Sequence, residues 1–219
     1  MRKLIIAIDG PSGAGKGTIA RTLAQALGYR HIDTGAMYRA IGWKAAFDGI
    51  PLDDERAVAD LAQRADLVVE GDVVSIDGHD VTGAIRSTEI DKAATSVARL
   101  PRVREVLVAR QRRCGEGGGV VMEGRDIGTV VFPTADVKIY LDASAEERAR
   151  RRAGDTAHTS GRAGREAVAA SIAARDKADT TRAVSPLTVA ADAVHIDTTG
   201  MPIDQVVEKV MTLVRQRSS

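Results

Sequence analysis

The sequence predicts an α/β protein: a parallel β-sheet core flanked by helices, with a small antiparallel β insert and a short lid. Three observations carry that prediction. Leu4-Ile5-Ile6-Ala7-Ile8 is an apolar run without polar alternation, the pattern of a strand covered on both faces. A glycine-rich turn follows it and opens into Ile19, Leu23 and Leu27 at helical spacing, closed by Gly28. Further buried-strand runs at His31-Ile32, Val120 to Met122, Val137 to Leu141 and Ala193 to Ile196 then alternate with helical patterns. The clearest helical pattern is Ile203, Val206, Val207, Val210, Met211 and Val214.

A length of 219 residues fits one core, taken as residues 1–219. Residues 67–86 break the rhythm with short β-prone pieces separated by Gly-Asp and Asp-Gly turns. Asp77-Gly78 is a two-residue hairpin signal, because both residues tolerate positive φ. The insert is placed at 66–91. A second irregular piece, Ala153 to Gly164, is rich in Gly, Thr and Ser and flanked by arginines, so a lid loop is placed at 150–164. Trp43 and Phe47, four residues apart, are expected to pack between core and insert.

Composition excludes several functions. Thirty-one Lys+Arg against 30 Asp+Glu give +1, too even for a protein that holds nucleic acid by bulk charge. Aromatics at 3% argue against single-strand binding by base stacking. The sole cysteine, Cys114, forms no intramolecular disulfide, and the four histidines lack zinc-ligand spacing. The first apolar run ends at Asp9, short of a signal core, and no run approaches the roughly 18 apolar residues of a membrane helix. A cytoplasmic, monomeric protein with neither nucleic-acid nor membrane partners is expected.

Gly10-Pro11-Ser12-Gly13-Ala14-Gly15-Lys16-Gly17-Thr18 fits G-x-x-x-x-G-K. Its glycines let successive backbone N–H groups converge on phosphate oxygens, the following helix adds its N-terminal dipole, and Lys16 adds a full charge. The general pattern has Ser or Thr directly after the lysine. Here Gly17 stands there, so Thr18 is the hydroxyl assigned to the magnesium neighbourhood. The bland reading, a glycine-rich turn without ligand, is opposed by the strand before the motif and the helix after it. An Asn-Lys-x-Asp guanine reader, normal in a switch GTPase, is absent from the sequence.

Arginines supply the second signal. Arg39, Arg104, Arg125, Arg175 and Arg182 are read as lying in or beside turns and helix ends, where a second phosphorylated substrate could use them. Arg148, Arg150, Arg151 and Arg152 crowd before the lid loop. Glu146 to Arg182 holds nine Lys/Arg against six Asp/Glu, so this part is locally basic. Such a cluster also suits a solvated helix face with pairs such as Glu147 to Arg151. Beside a phosphate loop, a lid closing over ATP is the better reading.

The first motif, with Asp33-Thr34-Gly35-Ala36-Met37-Tyr38-Arg39 and Gly124-Arg125-Asp126-Ile127-Gly128-Thr129-Val130-Val131-Phe132-Pro133, resembles bacterial cytidylate kinases, P-loop nucleoside monophosphate kinases. Arg175-Asp176, Arg182-Ala183 and Pro186-Leu187 resemble their late segment, and the resemblance runs in order along nearly the whole chain. It implies a γ-phosphoryl transfer from Mg-ATP to CMP or dCMP. Tyr38, Arg39 and Arg125 inherit the acceptor-phosphate role, and Thr34 falls in the same acceptor site. Lys16, Arg39 and Arg125 become the catalytic candidates. The family's cytosine readers map to Thr95, Arg104 and Asp126, with Ser96 a rival for the hydroxyl. A carboxylate accepts from the cytosine amino group while arginine donates to N3 and O2. Sugar hydroxyls fall to Arg175 and Asp179, with Arg182 nearby. Arg148, Arg151 and Arg152 take the lid role. Asp33 is a second metal candidate, through an ordered water, and equally a helix N-terminal signal beside Thr34. Arg125 and Asp126 also suit a turn-stabilising ion pair. Two other functions stay open: a P-loop kinase for AMP, UMP or shikimate, and a non-enzymatic ATP-binding switch.

Overall fold

A computed structural model describes residues 3–155 and 164–218. Residues 156–163, the greater part of the expected lid loop, lie outside the described residues. The apolar runs pair as a five-stranded sheet in the order β2-β6-β1-β7-β8, from β1 (Ile5–Asp9), β2 (Arg30–Asp33), β6 (Val120–Gly124), β7 (Val137–Asp142) and β8 (Val194–Asp197). Every pairing is parallel, and β1 is central, with Ile6 opposite Val121 on one side and Val137 on the other.

The lack of alternation in β1 has the expected cause. Ile6 and Ile8 face one apolar layer with α1 (Lys16–Leu27) and α8 (Ile203–Ser218), where Ile19, Leu23, Val206, Val210 and Val214 are buried. Ala7 faces the opposite layer, built on α2 (Thr34–Phe47), α3 (Glu55–Arg64) and α5 (Pro101–Gly115). Helices on both faces of a parallel sheet bury both sides of each strand. Gly28 ends α1 in the left-handed conformation, φ 64°, as the sequence predicts.

The insert is a three-stranded antiparallel sheet of β3 (Leu67–Glu70), β4 (Val73–Ile76) and β5 (His79–Asp80). Asp77 (φ 48°) and Gly78 (φ 79°) form its tight hairpin. The insert is narrower than 66–91, because Thr88 onward forms α4 (Thr88–Val97), capped by Ser87. Trp43 stacks on Phe47 at 5.0 Å, and both rings touch His79 of the insert. Only Trp43 packs against the core; Phe47 stays 60% exposed. Likewise, the start of the expected lid is helical, since 150–153 close α6 (Ala145–Ala153); α7 (Arg165–Thr181) follows the undescribed stretch.

After β6 the chain makes a π-helical turn, Ile127–Val131, that no local pattern announces. One backbone position at the head of the phosphate loop is sterically closed. Gly10 has φ 149°, and a Cβ there would lie 2.0 Å from the Leu141 carbonyl oxygen. Gly10→Ala is expected to destabilise the fold by about 3 kcal/mol, through backbone strain and overpacking. Thermal denaturation checks this, and an unchanged midpoint would contradict it.

Candidate active site

In open parallel sheets, ligands bind at the carboxyl ends of the strands. A cleft of about 970 Å³ opens there, lined from Ser12 to Ile19, by the starts of α2 and α5, by Glu123 to Asp126, and by α6 and α7. That volume stands at the upper end of the ~300–1,000 Å³ of single-ligand pockets.

Gly15 takes φ 91° so that α1 begins at Lys16 with its N–H groups facing the cleft. The Lys16 ammonium donates to the Pro11 carbonyl at 2.8 Å and is buried. Burial, aided by the Arg125 charge, pulls its pKa down to about 7. Gly10 and Pro11 stand behind the cleft wall, while Ser12, Gly13, Ala14, Gly15, Lys16, Gly17 and Thr18 line it. Near pH 8 the Lys16 amine is mostly neutral, and phosphate oxygens beside it restore the ammonium, so ATP binding should take up close to one proton. Calorimetry in buffers of different ionisation enthalpy measures the uptake, and none at pH 8 would contradict it.

At the other end, Asp126 sits between two arginines. Arg104 donates to its Oδ2, and Arg182 lies 3.4 Å from its Oδ1, all three side chains being buried. The Arg104 guanidinium lies 5.6 Å over the Tyr38 ring, whose phenol burial holds above its ordinary pKa. Thr95 lines this part of the cleft, with its hydroxyl donating to the Asp91 carbonyl at 2.9 Å. Ser96 is exposed and does not line the cleft, so of the two hydroxyls Thr95 is the one beside Arg104 and Asp126. Buried donors remain on three arginines: Arg39 Nε, Arg104 Nε and Arg182 Nη2 have no hydrogen-bond partner among the described residues.

Between the two ends, Arg125 donates to Asp179 at 2.7 Å and Arg39 donates to Asp33 at 2.7 Å. Burial opposes the Asp33 charge, but Arg39 and the Ala36 N–H outweigh it and hold the carboxyl below its ordinary pKa. Asp33 is thus the N-cap of α2, one of its two anticipated roles. Thr34 donates to the Glu123 carbonyl at 2.7 Å. Arg125 and Asp126 form no pair with each other: Arg125 turns to Asp179 and Asp126 to Arg104. Arg39 and Arg175 lie well inside α2 and α7, not at helix ends.

The lid arginines divide. Arg151 donates to the Thr198 carbonyl at 2.7 Å and to Ala14 at 3.3 Å, and Arg152 pairs with Asp91. Both line the cleft. Arg148 does not. It turns behind the phosphate loop, donating to Ser12 O at 3.0 Å and pairing with Asp176, which itself accepts from Ser12 N at 3.1 Å. Arg148 therefore shapes the loop from behind, because α6 runs against Gly13, where a Cβ would lie 2.8 Å from the Arg148 carbonyl.

Three acidic residues were missed by sequence reasoning. Asp9, buried at the end of β1, accepts from Ile127 N at 2.8 Å and Gly128 N at 2.7 Å, fixing the π turn behind Arg125-Asp126. Burial raises its pKa to about 6. Glu123 lines the cleft, 3.0 Å from His31 Nε2, and its carboxylate would stand 3.2 Å from any Cβ at position 17. Its place at the carboxyl end of β6, beside Gly-Arg-Asp, was the available signal. Asp91 joins Arg152 and Arg175.

For magnesium, the donor set fits an ion that arrives with the nucleotide. Thr18 is exposed to the cleft and Glu123 lines it, while no group of three or more His, Cys, Asp or Glu among the described residues could hold a metal alone. Magnesium is commonly bound by one or two protein oxygens together with substrate phosphates.

A phosphate loop after the central strand of a parallel sheet, with a buried lysine facing a ring of arginines, defines a P-loop kinase. Solved structures agree on the fold. A gluconokinase from Sinorhizobium meliloti 1021 matches with TM-score 0.51 at 16% identity, covering 99% of this chain and 95% of that one. TT1252 from Thermus thermophilus matches with TM-score 0.51 at 17% identity over the full length of both. The sequence is more specific. A family profile described as cytidylate kinase matches residues 6–216. The cytidylate kinase of Pelotomaculum thermopropionicum is 50% identical over 95% of both chains, and that of Bacillus subtilis is 47% identical over 99% of both. The chain belongs to the cytidylate kinase family.

Proposed function

We propose that this protein transfers the γ-phosphoryl group of Mg-ATP to CMP or dCMP, giving ADP with CDP or dCDP. The observation that supports it best is one cleft with two unlike ends. At one, Lys16 and the α1 N-terminus suit a triphosphate; at the other, Asp126, Arg104 and Thr95 suit a cytosine edge.

The acceptor phosphate is its own nucleophile and is anionic at neutral pH, so no general base is required. One of its oxygens bonds to the γ-phosphorus as the bond to the β-phosphate oxygen breaks, and ADP leaves with that electron pair. Lys16 and the loop amides neutralise the donor phosphates; Arg39 and Arg125 orient the acceptor phosphate. Magnesium, when bound beside Thr18 and Glu123, supplies charge neutralisation on the phosphate oxygens. Arg175 and Asp179 are assigned to the sugar, and Arg151 and Arg152 to the donor side. Asp126 accepts from the cytosine amino group and Arg104 donates to N3 and O2. Uracil presents an oxygen where Asp126 requires a donor, which disfavours UMP.

ADP formation from Mg-ATP, with CMP, dCMP, UMP, AMP, GMP and shikimate supplied separately, tests the reading. Stimulation by CMP and dCMP above all others is expected. Stimulation by another acceptor alone would overturn the base assignment, and ATP binding without stimulation by any would favour a switch.

A further inference from the structure

We propose that Asp91 is a positioning residue for phosphoryl transfer, holding Arg152 and Arg175 in place and so tying helix α4 both to the donor-side helix α6 and to α7, which carries the sugar-side Arg175. The inference rests on the cytidylate kinase reading. Asp91 accepts from Arg175 Nη1 at 2.9 Å through one carboxylate oxygen and pairs with Arg152 Nη2 through the other. These partners lie 84 and 61 residues away in the chain. The three side chains are 14%, 17% and 20% exposed, so the charges act with little solvent screening.

Three other cleft arginines pair with carboxylates already assigned to the site: Arg39 with Asp33, Arg104 with Asp126 and Arg125 with Asp179. Asp91 belongs to no motif and, among the described residues, serves guanidiniums from two helices. It does not itself line the cleft, whereas Arg152 and Arg175 do, so its effect reaches substrate only through them. Its carbonyl accepts from Thr95 one turn later, which puts the arginine holder and a base-side hydroxyl on one stretch of α4. That helix also packs on α2, which carries Tyr38 and Arg39. Two guanidiniums directed at one region repel unless an anion stands between them. Without Asp91 each can still find a phosphate in the ground state, but not in one fixed transition-state geometry.

The test compares kcat and KM of the full-length wild type with those of Asp91→Asn, Arg152→Gln and the double variant, using CMP and Mg-ATP. Asp91→Asn is expected to lower kcat on the order of 10-fold, with both KM values within about threefold of wild type. The double variant should be slowed by less than the product of the two single effects, because Asp91 acts in part through Arg152 and in part through Arg175. Asp91→Ser, which removes the carboxylate with different packing, should reproduce the loss and stands in if the amide variant does not fold. A kcat within twofold of wild type, a loss confined to KM, or independent multiplication of the two single effects would each overturn the proposal. A wild type without CMP-dependent ADP formation would overturn the kinase reading instead.

Discussion

Replacing Lys16 with alanine is expected to lower turnover by about 10²–10³-fold, the usual loss when a preorganised charge donor to the transition state is removed. Stability should not fall with it. The ammonium is buried and, among the described residues, hydrogen-bonded only to the Pro11 carbonyl, and burial drives its pKa to about 7, so the site disfavours the charged form. The unfolding midpoint of Lys16→Ala should therefore stay within about 3 °C of wild type, about the shift that 1 kcal/mol brings in a chain of this length. Loss of fold together with activity would show the lysine to be structural, and normal turnover in the folded variant would remove it from the transfer step. Both are read from steady-state ADP formation beside a thermal melt.

The second large effect is on selectivity. Asp126→Asn keeps side-chain volume between Arg104 and Arg182 but leaves one acceptor oxygen in place of two; with that oxygen held by Arg104, its NH2 faces the cytosine amino group donor to donor. We expect kcat/KM for CMP to fall by about 10²-fold or more while the CMP-to-UMP ratio contracts toward one, as sites that hydrogen-bond a particular edge lose discrimination when that partner is removed. KM for ATP should change by less than about threefold, since Asp126 is assigned to the cytosine edge and not to the triphosphate. Alanine would be a poorer probe, because emptying a buried carboxylate site beside two arginines costs about 3–5 kcal/mol of stability. An unchanged CMP-to-UMP ratio in the asparagine variant would take Asp126 out of base readout.

What the sequence made legible was local. The unbroken apolar run at Leu4–Ile8 announces a strand covered on both faces, and Gly28 announces the end of α1, because each depends only on neighbours along the chain. The glycine loop and Lys16 are legible for the same reason. The hairpin at Asp77-Gly78 follows from two residues that tolerate positive φ. Ion-pair partners were not legible. Arg125 and Asp126 are adjacent in sequence yet turn to Asp179 and Arg104, because a side chain's partner is set by which helices the sheet brings over the cleft. Arg148 was misplaced on the same ground: its position in a run of arginines says nothing about the side of α6 that meets Ser12. Asp9 and Asp91 carry no sequence signal, since their work is long-range, with partners more than 60 residues away.

The most direct test places the competing acceptors in one vessel. Mg-ATP with equimolar CMP and UMP, limiting protein and phosphorus NMR of the products reads both the transfer and its selectivity at once. ADP and CDP are expected to rise together in equal amounts, with little UDP until CMP is depleted. ADP rising with free inorganic phosphate and no nucleoside diphosphate partner, or CDP and UDP rising in parallel, would contradict this expectation.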